Sequence, residues 1–318
     1  MRRCAPLRTP TGRTSTLWGR GNPMQYRAES LGLVGHVTTL LMDLIHDQLG
    51  LQYKPSDAEQ LGDRLAPLVV ARGLSSFMDY YYVLKYSPGP DDWLAVMDAL
   101  AVQETYLWRE IDQLRAVVDH LVPSLVRASR GRPVRIWSSA CASGEEPLTL
   151  AMLLEEAGWF ERAPIELIAS DASPAAIARA RKGDYTQRSF RNLPVALKDK
   201  YFVANENQWR VSPELHRRVR YDIVNLVAED QVARYASAPV IICRNVFIYF
   251  SDRSIQRTVT LFNQAMPSPS YLCVGVSESL LRRTLLFDLQ EIGGAFVYVK
   301  GSSDASSASF QSGMEAAS

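Results

Sequence analysis

The sequence predicts an α/β protein in which a doubly wound, mostly parallel sheet follows a small all-helical domain. In residues 33–126 the apolar side chains recur every three or four positions, which is typical of helices with one buried face. After Pro133 short β-rich apolar runs alternate with helical stretches. Strands and helices that alternate in this way are typical of βαβ units, whose strands lie parallel in one sheet.

The composition divides the chain into four segments. Residues 1–24 mix Arg, Thr, Pro and Gly without periodicity and predict a disordered basic arm, whereas residues 25–128 predict the helical domain. The run SRGRP at 129–133 separates this domain from the sheet domain, which is expected to span residues 133–301. Residues 302–318 are a low-complexity Ser/Ala segment and predict a disordered tail.

The charge and the hydropathy pattern exclude several classes of protein. The 318 residues carry 35 Lys and Arg against 34 Asp and Glu, so the net charge of +1 provides no general attraction for nucleic acid. No uninterrupted apolar run reaches about 18 residues, and the basic amino terminus lacks the apolar stretch of a signal peptide. We therefore expect a cytoplasmic protein that neither binds nucleic acid nor inserts into a membrane.

The cysteines and histidines do not predict a metal site. Cys4, Cys141, Cys243 and Cys273 show no CxxC spacing, and three of them lie in or beside apolar runs. The four histidines show no metal-ligand spacing either. Buried free thiols in a reducing compartment are the simpler interpretation.

Six strands are predicted in the sheet domain, with helices after the first, second, fourth and fifth. The strands are expected at residues 135–140, 165–170, 219–225, 240–245, 271–277 and 295–300. Ligands of doubly wound sheets bind beyond the carboxyl ends of the strands. The residues that follow each strand are therefore the candidates for a functional site.

The turn after the first strand, in RIWSSACASGEEPLTLAMLL, combines small residues with two acids. Ala140 and Gly144 would let a ligand approach the backbone, and Glu145 and Glu146 stand at the start of the next helix. Carboxylates at this position repel a pyrophosphate and attract a cation, which favours S-adenosylmethionine over a dinucleotide. The alternative is that both glutamates only cap the helix, where an acid stabilises the dipole by about 0.3–1 kcal/mol.

Polar residues also follow the second and third strands. Asp171 could accept hydrogen bonds from both ribose hydroxyls of a nucleoside, while Ser173 could cap the next helix. Asn225 could serve the adenine edge or be a satisfied turn residue, and the sequence leaves both roles open.

In chain order, these motifs resemble those of the CheR-type chemotaxis receptor methyltransferases. The resemblance rests on RIWSSACASGEEPLTLAMLL, IASDASPAAIARARKGDYT, LKDKYF, the NL at Asn225, CRNVFIYF and VGVSESL, and it extends over residues 33–300. The upstream VQETYLWRE is similar to the segment through which the family's helical domain closes over the cofactor. The resemblance implies methyl transfer from S-adenosylmethionine to glutamate side chains of chemoreceptors. The products would be glutamyl methyl esters and S-adenosylhomocysteine.

Carried over position by position, the resemblance implies a set of cofactor contacts and two residues at the transferred methyl group. The contacts are Gln103, Thr105, Arg109, Glu146, Asp171, Asn225, Leu226, Arg244 and Asn245, to which the first turn adds Ala140, Gly144 and Glu145. Arg109 and Tyr249 are implied to face the methyl group as catalytic residues that hold the acceptor. For Tyr249 the alternative is a core aromatic in NVFIYF.

The resemblance also implies a small β-subdomain, at about residues 198–218, inserted in the sheet domain. Some family members carry a longer, Gly-rich version that binds the receptor's tail peptide, whereas YFVANENQWRV is short here. We therefore expect tail-independent recognition of the receptor's cytoplasmic helical bundle, by a monomer. The helical domain would make the contact through Arg64, Arg72 and Lys85.

Two other functions stay open at this level. One is a CheR-like module that binds S-adenosylmethionine and a signalling partner without turnover. The other is a methyltransferase with a different acceptor, because a shared cofactor fold does not determine the acceptor.

Overall fold

The computed structural model describes residues 28–301. The arm predicted over residues 1–24 and the tail predicted over residues 302–318 lie outside the described residues. Within the described range the chain forms a helical unit, a seven-stranded sheet flanked by helices, and a three-stranded sheet.

Four α-helices form the helical unit that the sequence predicts. They are α1 (Gly35–Leu49), α2 (Ala58–Ala71), α3 (Phe77–Tyr86) and α4 (Asp92–Leu100). Leu41, Ile45 and Phe77 are inaccessible to solvent at the centre of this unit's core. Helix α1 ends at Gly50, where φ is 76° and an added Cβ would lie 2.8 Å from the Val227 side chain. Only glycine therefore allows α1 to end against the loop that carries Val227.

The helices that lead into the sheet belong to the hydrophobic core of the sheet domain, and none of their residues is in the core of α1 to α4. They are α5 (Ile111–Ala116), a π-helical turn (Val117–Leu121) and α6 (Val122–Ser129). Leu114 and Leu121 share one core with Ile136 and other side chains of the sheet domain. The sequence predicts a helical domain up to residue 128 because the helical periodicity continues to that point. Since the two cores separate near residue 102, we propose that the domain boundary lies there.

The described residues form ten strands in two sheets. In chain order the strands are β1 (Val134–Ser138), β2 (Ile165–Asp171), β3 (Asp184–Tyr185), β4 (Phe202–Asn205), β5 (Gln208–Val211), β6 (Val219–Ile223), β7 (Val240–Cys243), β8 (Ser270–Val274), β9 (Asp288–Ile292) and β10 (Ala295–Lys300). The main sheet has the order β6-β2-β1-β7-β8-β10-β9. Its first five strands are parallel, and β10 is antiparallel to β8 and β9. The predicted doubly wound, mostly parallel sheet is confirmed.

Seven further helices connect these strands. They are α7 (Glu145–Glu156), α8 (Trp159–Arg162), α9 (Pro174–Lys182), α10 (Val195–Tyr201), α11 (Pro213–His216), α12 (Glu229–Val232) and α13 (Asp252–Ala265). Helices α7, α9 and α13 confirm the helices predicted after the first, second and fourth strands of the main sheet.

Two predictions for the carboxyl-terminal part of the sheet domain, after β8, are wrong. The helix expected after β8 does not form, and residues 275–287 make turns and loop instead. Their leucines imitate a helical pattern, but Leu285 is 99% exposed, so no common apolar face is buried there. Strand β9 is missing from the prediction because its residues are mostly exposed and polar, which leaves no apolar run to detect.

The predicted β-subdomain is the three-stranded sheet β3-β5-β4. It begins upstream of residue 198, because Asp184 and Tyr185 supply its first strand. The Arg210 guanidinium donates two hydrogen bonds to the Asp184 carboxylate, at 2.7 and 2.9 Å. This pairing lowers the pKa of Asp184 to about 2 and fastens β3 to β5.

Candidate active site

A cavity of about 350 Å³ lies at the carboxyl ends of β1, β2, β6 and β7. Asp171 and Asn225 line it from the sheet side, and Tyr53, Met97 and Leu100 line it from the helical unit. Ligands of doubly wound sheets bind at this edge. The helical unit therefore covers the place where the sheet would hold a ligand.

Most of the predicted site residues meet at this cavity. Those that line it are Thr105, Arg109, Ala140, Glu146, Asp171, Asn225, Leu226, Arg244, Asn245 and Tyr249. Gln103, Gly144 and Glu145 lie beside it and do not line it. The contact roles of all thirteen residues stay predictions, which the geometry below supports to different degrees.

Gly144 has a packing role in the structure. From the sequence alone, this role cannot be distinguished from a role in letting a ligand approach the backbone. Its φ is 95°, and an added Cβ would lie 3.0 Å from Ala180 Cβ and 3.1 Å from the Tyr185 hydroxyl oxygen. That hydroxyl donates a hydrogen bond to the carbonyl of Ser143 at 3.0 Å. The small residue thus lets the turn before α7 pack closely against α9 and β3.

The two adjacent glutamates point in different directions. Glu145 is buried and accepts hydrogen bonds from the hydroxyls of Ser143 and Ser189, at 2.7 and 2.9 Å. Glu146 faces the cavity, where it accepts a hydrogen bond from Ser138 at 2.7 Å and lies 3.3 Å from Arg244 Nε. Burial raises the pKa of both carboxyls, and Arg244 partly offsets that effect at Glu146. Of the two, we propose only Glu146 as a ligand contact.

Asp171 ends β2 with its carboxylate at the cavity. One oxygen accepts a hydrogen bond from the backbone N–H of Ala142 and the other from that of Ser173, both at 2.9 Å. Burial raises the pKa of Asp171, and these backbone N–H groups oppose the rise. The carboxylate is thus held rigidly across the turn after β1, which suits it to accept hydrogen bonds from ribose hydroxyls.

We expect affinity for S-adenosylhomocysteine to fall as the pH is lowered, and to begin falling above the ordinary carboxyl pKa values of 3.8 and 4.5. Asp171 and Glu146 have raised pKa values, so they take up protons at a higher pH than free side chains do. The interactions of the ionised forms are present above the raised pKa values and are lost as the pH falls through them. Calorimetric titrations from pH 7 downward measure the effect.

The control for this pH dependence is Asp171→Asn. Its affinity should be lower at neutral pH and should change less with pH, because one titrating group is absent. Wild-type affinity that stays constant down to pH 4 in the folded protein would contradict the expectation.

Arg244 connects the sheet to the segment before α5. Its side chain is 1% exposed, and its guanidinium donates hydrogen bonds to the carbonyls of Arg109 and Glu110, at 2.8 and 3.3 Å. It also lies 3.8 Å from the Glu110 carboxylate. Trp108 and Glu110 have positive φ values of 69° and 46°, so this segment turns sharply at the cavity. We infer that Arg244 stabilises the turn as well as facing the ligand.

Sequence reasoning assigns no role to two acidic residues that shape the site, Glu110 and Glu278, although Glu278 directly follows a predicted strand. Glu278 is buried and accepts hydrogen bonds from the backbone N–H groups of Asn245, Gly275 and Ile248, at 2.6, 2.8 and 3.2 Å. Glu110 accepts a hydrogen bond from the Asn245 side chain at 3.2 Å. Both acids lie in quoted motifs, VGVSESL and VQETYLWRE, but apart from Gly275 the partners named here are at least 30 positions away along the chain.

Arg109 and Tyr249, the predicted catalytic pair, both line the cavity. Arg109 is only partly exposed and donates a hydrogen bond to the carbonyl of Glu104 at 2.9 Å. The carbonyl of Tyr249 accepts a hydrogen bond from Gln52 of the helical unit at 2.8 Å. Burial raises the pKa of the Tyr249 phenol, so its hydroxyl keeps its proton near neutral pH and can donate.

Asn225 and Gln103 both have hydrogen-bond partners within the protein, and Asn225 connects the sheet domain to the helical unit. The Asn225 side chain donates to the carbonyl of Gln48 at 2.8 Å and accepts from the Val227 N–H at 3.2 Å. Gln103 donates to the hydroxyl of Ser173 at 3.0 Å. Ser173 accepts from the Ala176 N–H at 3.0 Å, which confirms it as the cap of α9. The turn role of Asn225 is therefore present, and a contact with adenine stays a prediction.

Other reactive groups lie outside this arrangement. Cys141, Cys243 and Cys273 are free and buried, as predicted, and burial raises their pKa values, while Cys4 lies outside the described residues. Among residues 28–301 no three His, Cys, Asp or Glu side chains are grouped in a way that could hold a metal ion. In the same range no helix is both long and apolar enough to cross a bilayer.

The site fits one cofactor by its chemistry. Two carboxylates with raised pKa values face a covered cavity, and such groups are stabilised by cations and hydrogen-bond donors. S-adenosylmethionine offers an ammonium, a sulfonium and two ribose hydroxyls. A doubly wound sheet with acids after β1 and at the end of β2 is that of an S-adenosylmethionine-dependent methyltransferase.

Comparisons with known proteins identify the family within this class. The model of the "CheR methyltransferase, SAM binding domain" matches residues 103–293, and that of the "CheR methyltransferase, all-alpha domain" matches residues 39–101. The chain is 32% identical to chemotaxis protein methyltransferase 2 of Vibrio cholerae, over 81% of this chain and 90% of that protein. It is 28% identical to the chemotaxis protein methyltransferase of Borreliella burgdorferi, over 76% and 87%. The chain therefore belongs to the CheR methyltransferase family.

Proposed function

We propose that this protein transfers the methyl group of S-adenosylmethionine to glutamate side chains of a chemoreceptor in the cytoplasm. The observation that carries the proposal is the convergence of Arg109 and Tyr249 with Glu146 and Asp171 on one cavity. The similar proteins from Vibrio cholerae and Borreliella burgdorferi bear the name of chemotaxis protein methyltransferases. The products are a glutamyl methyl ester and S-adenosylhomocysteine.

The chemistry requires alignment more than acid–base catalysis. A glutamate titrates at about 4.3, so the accepting carboxylate is already ionised near neutral pH and needs no general base. When bound, S-adenosylmethionine would supply a methyl group on a positively charged sulfur, a leaving group that would accept the electron pair of the S–C bond. Holding the reacting groups in line can contribute about 7–11 kcal/mol.

The protein's own groups divide this task. Asp171 and Glu146 hold the cofactor through its ribose hydroxyls and its positive charge. Arg109 and the protonated Tyr249 hydroxyl orient the accepting carboxylate by hydrogen bonds. The helical unit over the cavity excludes water from that carboxylate, which strengthens these interactions.

Replacing Tyr249 with phenylalanine is expected to lower kcat by roughly tenfold, the equivalent of one neutral hydrogen bond. Affinity for S-adenosylhomocysteine should change little, because the hydroxyl acts on the acceptor. Single-turnover methyl transfer and calorimetry measure the two quantities separately.

Tyr86→Phe provides the matched control for this substitution, because Tyr86 is exposed on α3, away from the cavity lining. Equal losses in turnover and in cofactor affinity in Tyr249→Phe would place the hydroxyl among the cofactor contacts. No loss in either quantity would make Tyr249 a packing residue.

We further propose that recognition does not require the receptor's tail and that the protein acts as a monomer. The connection between β4 and β5 is only Glu206 and Asn207, so the subdomain presents a tight hairpin without a long loop.

The two arginines predicted to contact the receptor have partners within the helical unit. Arg64 donates to the carbonyl of Leu100 at 3.0 Å, and Arg72 lies 2.6 Å from Asp92.

Methylation of a receptor cytoplasmic fragment, with and without its last residues, tests the proposed function. Transfer from labelled S-adenosylmethionine to both fragments at similar rates is expected, with the label released by mild base, as methyl esters are. Transfer only to the complete fragment would contradict tail independence. No transfer to either fragment, with cofactor binding intact, would favour the module without turnover or another acceptor.

A further inference from the structure

Basic side chains surround one carboxylate at the rim of the cavity. Glu104 lines the cavity and is 58% exposed, with its Oε1 atom 3.1 Å from Arg188 Nη2 and 3.7 Å from Arg191 Nη2. Arg109 donates to the carbonyl of the same residue at 2.9 Å. Arg188 and Arg191, called here the rim pair, thus form a carboxylate cradle beside the residues that are proposed to hold the acceptor.

The rim pair is displayed on a well-anchored segment. Arg188 lies in the 3-10 helix Gln187–Phe190, and Arg191 follows it. Ser189 between them is buried, accepts a hydrogen bond from the Leu107 N–H at 2.9 Å, and donates one to Glu145 at 2.9 Å. Glu145, which does not line the cavity, therefore holds the segment that carries the rim pair.

The position of Arg191 connects the cradle to the cavity. Its guanidinium carbon lies 3.6 Å from the centre of the Tyr106 ring, and Tyr106 lines the cavity. A guanidinium stacked on an aromatic ring keeps its N–H groups free in the plane, where they can bind a carboxylate. A group bound by the rim pair would therefore lie next to a ligand in the cavity mouth.

Glu104 is suited to be displaced from this cradle. Its side chain and those of Arg188 and Arg191 are 58%, 69% and 40% exposed, and ion pairs between exposed side chains are weak. Another carboxylate could take its place without burying an unpaired charge. The exposed Glu104 carboxylate thus stands where a carboxylate of a partner could bind.

We propose that the rim pair binds a carboxylate of the acceptor protein, next to the glutamate that is methylated, in place of Glu104. This inference rests on the proposed function and deepens it, because it names the charge pattern of the substrate. The acceptor is an acidic protein segment with a second carboxylate close to the methylated one. Lysine-rich or uncharged surroundings would make a glutamate a poor acceptor.

The test measures steady-state methylation of a receptor cytoplasmic fragment, and also direct binding of that fragment in the presence of S-adenosylhomocysteine. Arg188→Ala/Arg191→Ala is expected to raise KM and Kd for the fragment roughly tenfold at low salt, with a smaller difference at high salt. Affinity for S-adenosylhomocysteine should not change. Glu104→Gln is expected to lower KM and Kd, a gain that damage to the fold cannot produce.

Arg217→Ala serves as the control. Arg217 is exposed and lies 3.6 Å from Glu214, as Arg188 lies beside Glu104, but it precedes β6 and so lies at the opposite end of the sheet. Its substitution should leave KM and Kd for the fragment unchanged.

The other possible results either overturn the inference or separate it from the proposed function. Unchanged KM and Kd for the fragment in Arg188→Ala/Arg191→Ala and in Glu104→Gln would overturn it, and so would a parallel loss of cofactor affinity. If the wild type binds the fragment through the rim pair without methylating it, the proposed function fails, and of the inference only the binding of a carboxylate by the rim pair stands. If it neither binds nor methylates the fragment, both fail.

Discussion

Replacing Arg244 with methionine is expected to lower the free energy of unfolding by about 3 kcal/mol, the lower end of the range for breaking a buried ion pair. The Arg244 side chain is 1% exposed, whereas the side chains of its partners Glu146 and Glu110 are 13% and 19% exposed. Methionine fills the volume but leaves both carboxylates without their cation. The carbonyls of Arg109 and Glu110 lose their donors as well.

Urea denaturation followed by circular dichroism measures this loss. Arg234→Met is the matched control, because Arg234 is exposed and its ion pair with Asp230 is long, at 3.9 Å. We expect this substitution to change the free energy of unfolding by no more than about 0.5 kcal/mol. Arg244→Lys should fall between the wild type and Arg244→Met, because it retains the charge but not the planar fork. Equal stability of Arg244→Met and the wild type would show that Arg244 serves only the ligand.

Replacing Asp171 with alanine is expected to weaken binding of S-adenosylhomocysteine by about 1.5–3 kcal/mol, or roughly 10- to 150-fold in Kd. The carboxylate would contribute charge-assisted hydrogen bonds to the ribose. Its removal also leaves the N–H groups of Ala142 and Ser173 without their acceptors, so the turn after β1 becomes less rigid.

Calorimetry on the folded variant measures this change in affinity. Asp230→Ala is the control, since Asp230 is exposed on α12 and does not line the cavity. An unchanged Kd in an Asp171→Ala variant with wild-type secondary structure would show that this carboxylate does not contact the cofactor. A loss of secondary structure in the variant would show that Asp171 acts mainly through the turn.

The sheet and much of the cavity lining could be predicted because they follow from local patterns. Short apolar runs mark strands that are buried on both faces, and the polar residues at their ends must meet at one edge of a parallel sheet. Asp171, Asn225 and Arg244 can be predicted as cavity residues in this way. Strand β9 cannot be predicted, because its mostly exposed edge carries no apolar pattern.

The sequence could not separate Glu145 from Glu146. Adjacent residues at a helix start are about 100° apart, and their directions depend on how the helix rests on the sheet. The close packing at Gly144 and the hydroxyls of Ser143 and Ser189 direct Glu145 away from the cavity. Glu146 then lies beside Arg244.

By itself the sequence determined the α/β class, the family motifs and the strand ends that line the cavity, because these depend on residue spacing within short segments. Only the tertiary structure decided which acids face the cavity and which hold the protein together. Asn245 lies 33 positions from Glu278 and 135 positions from Glu110, and Val276 lies 166 positions from Glu110. Such contacts arise from packing between distant segments, which no local pattern records.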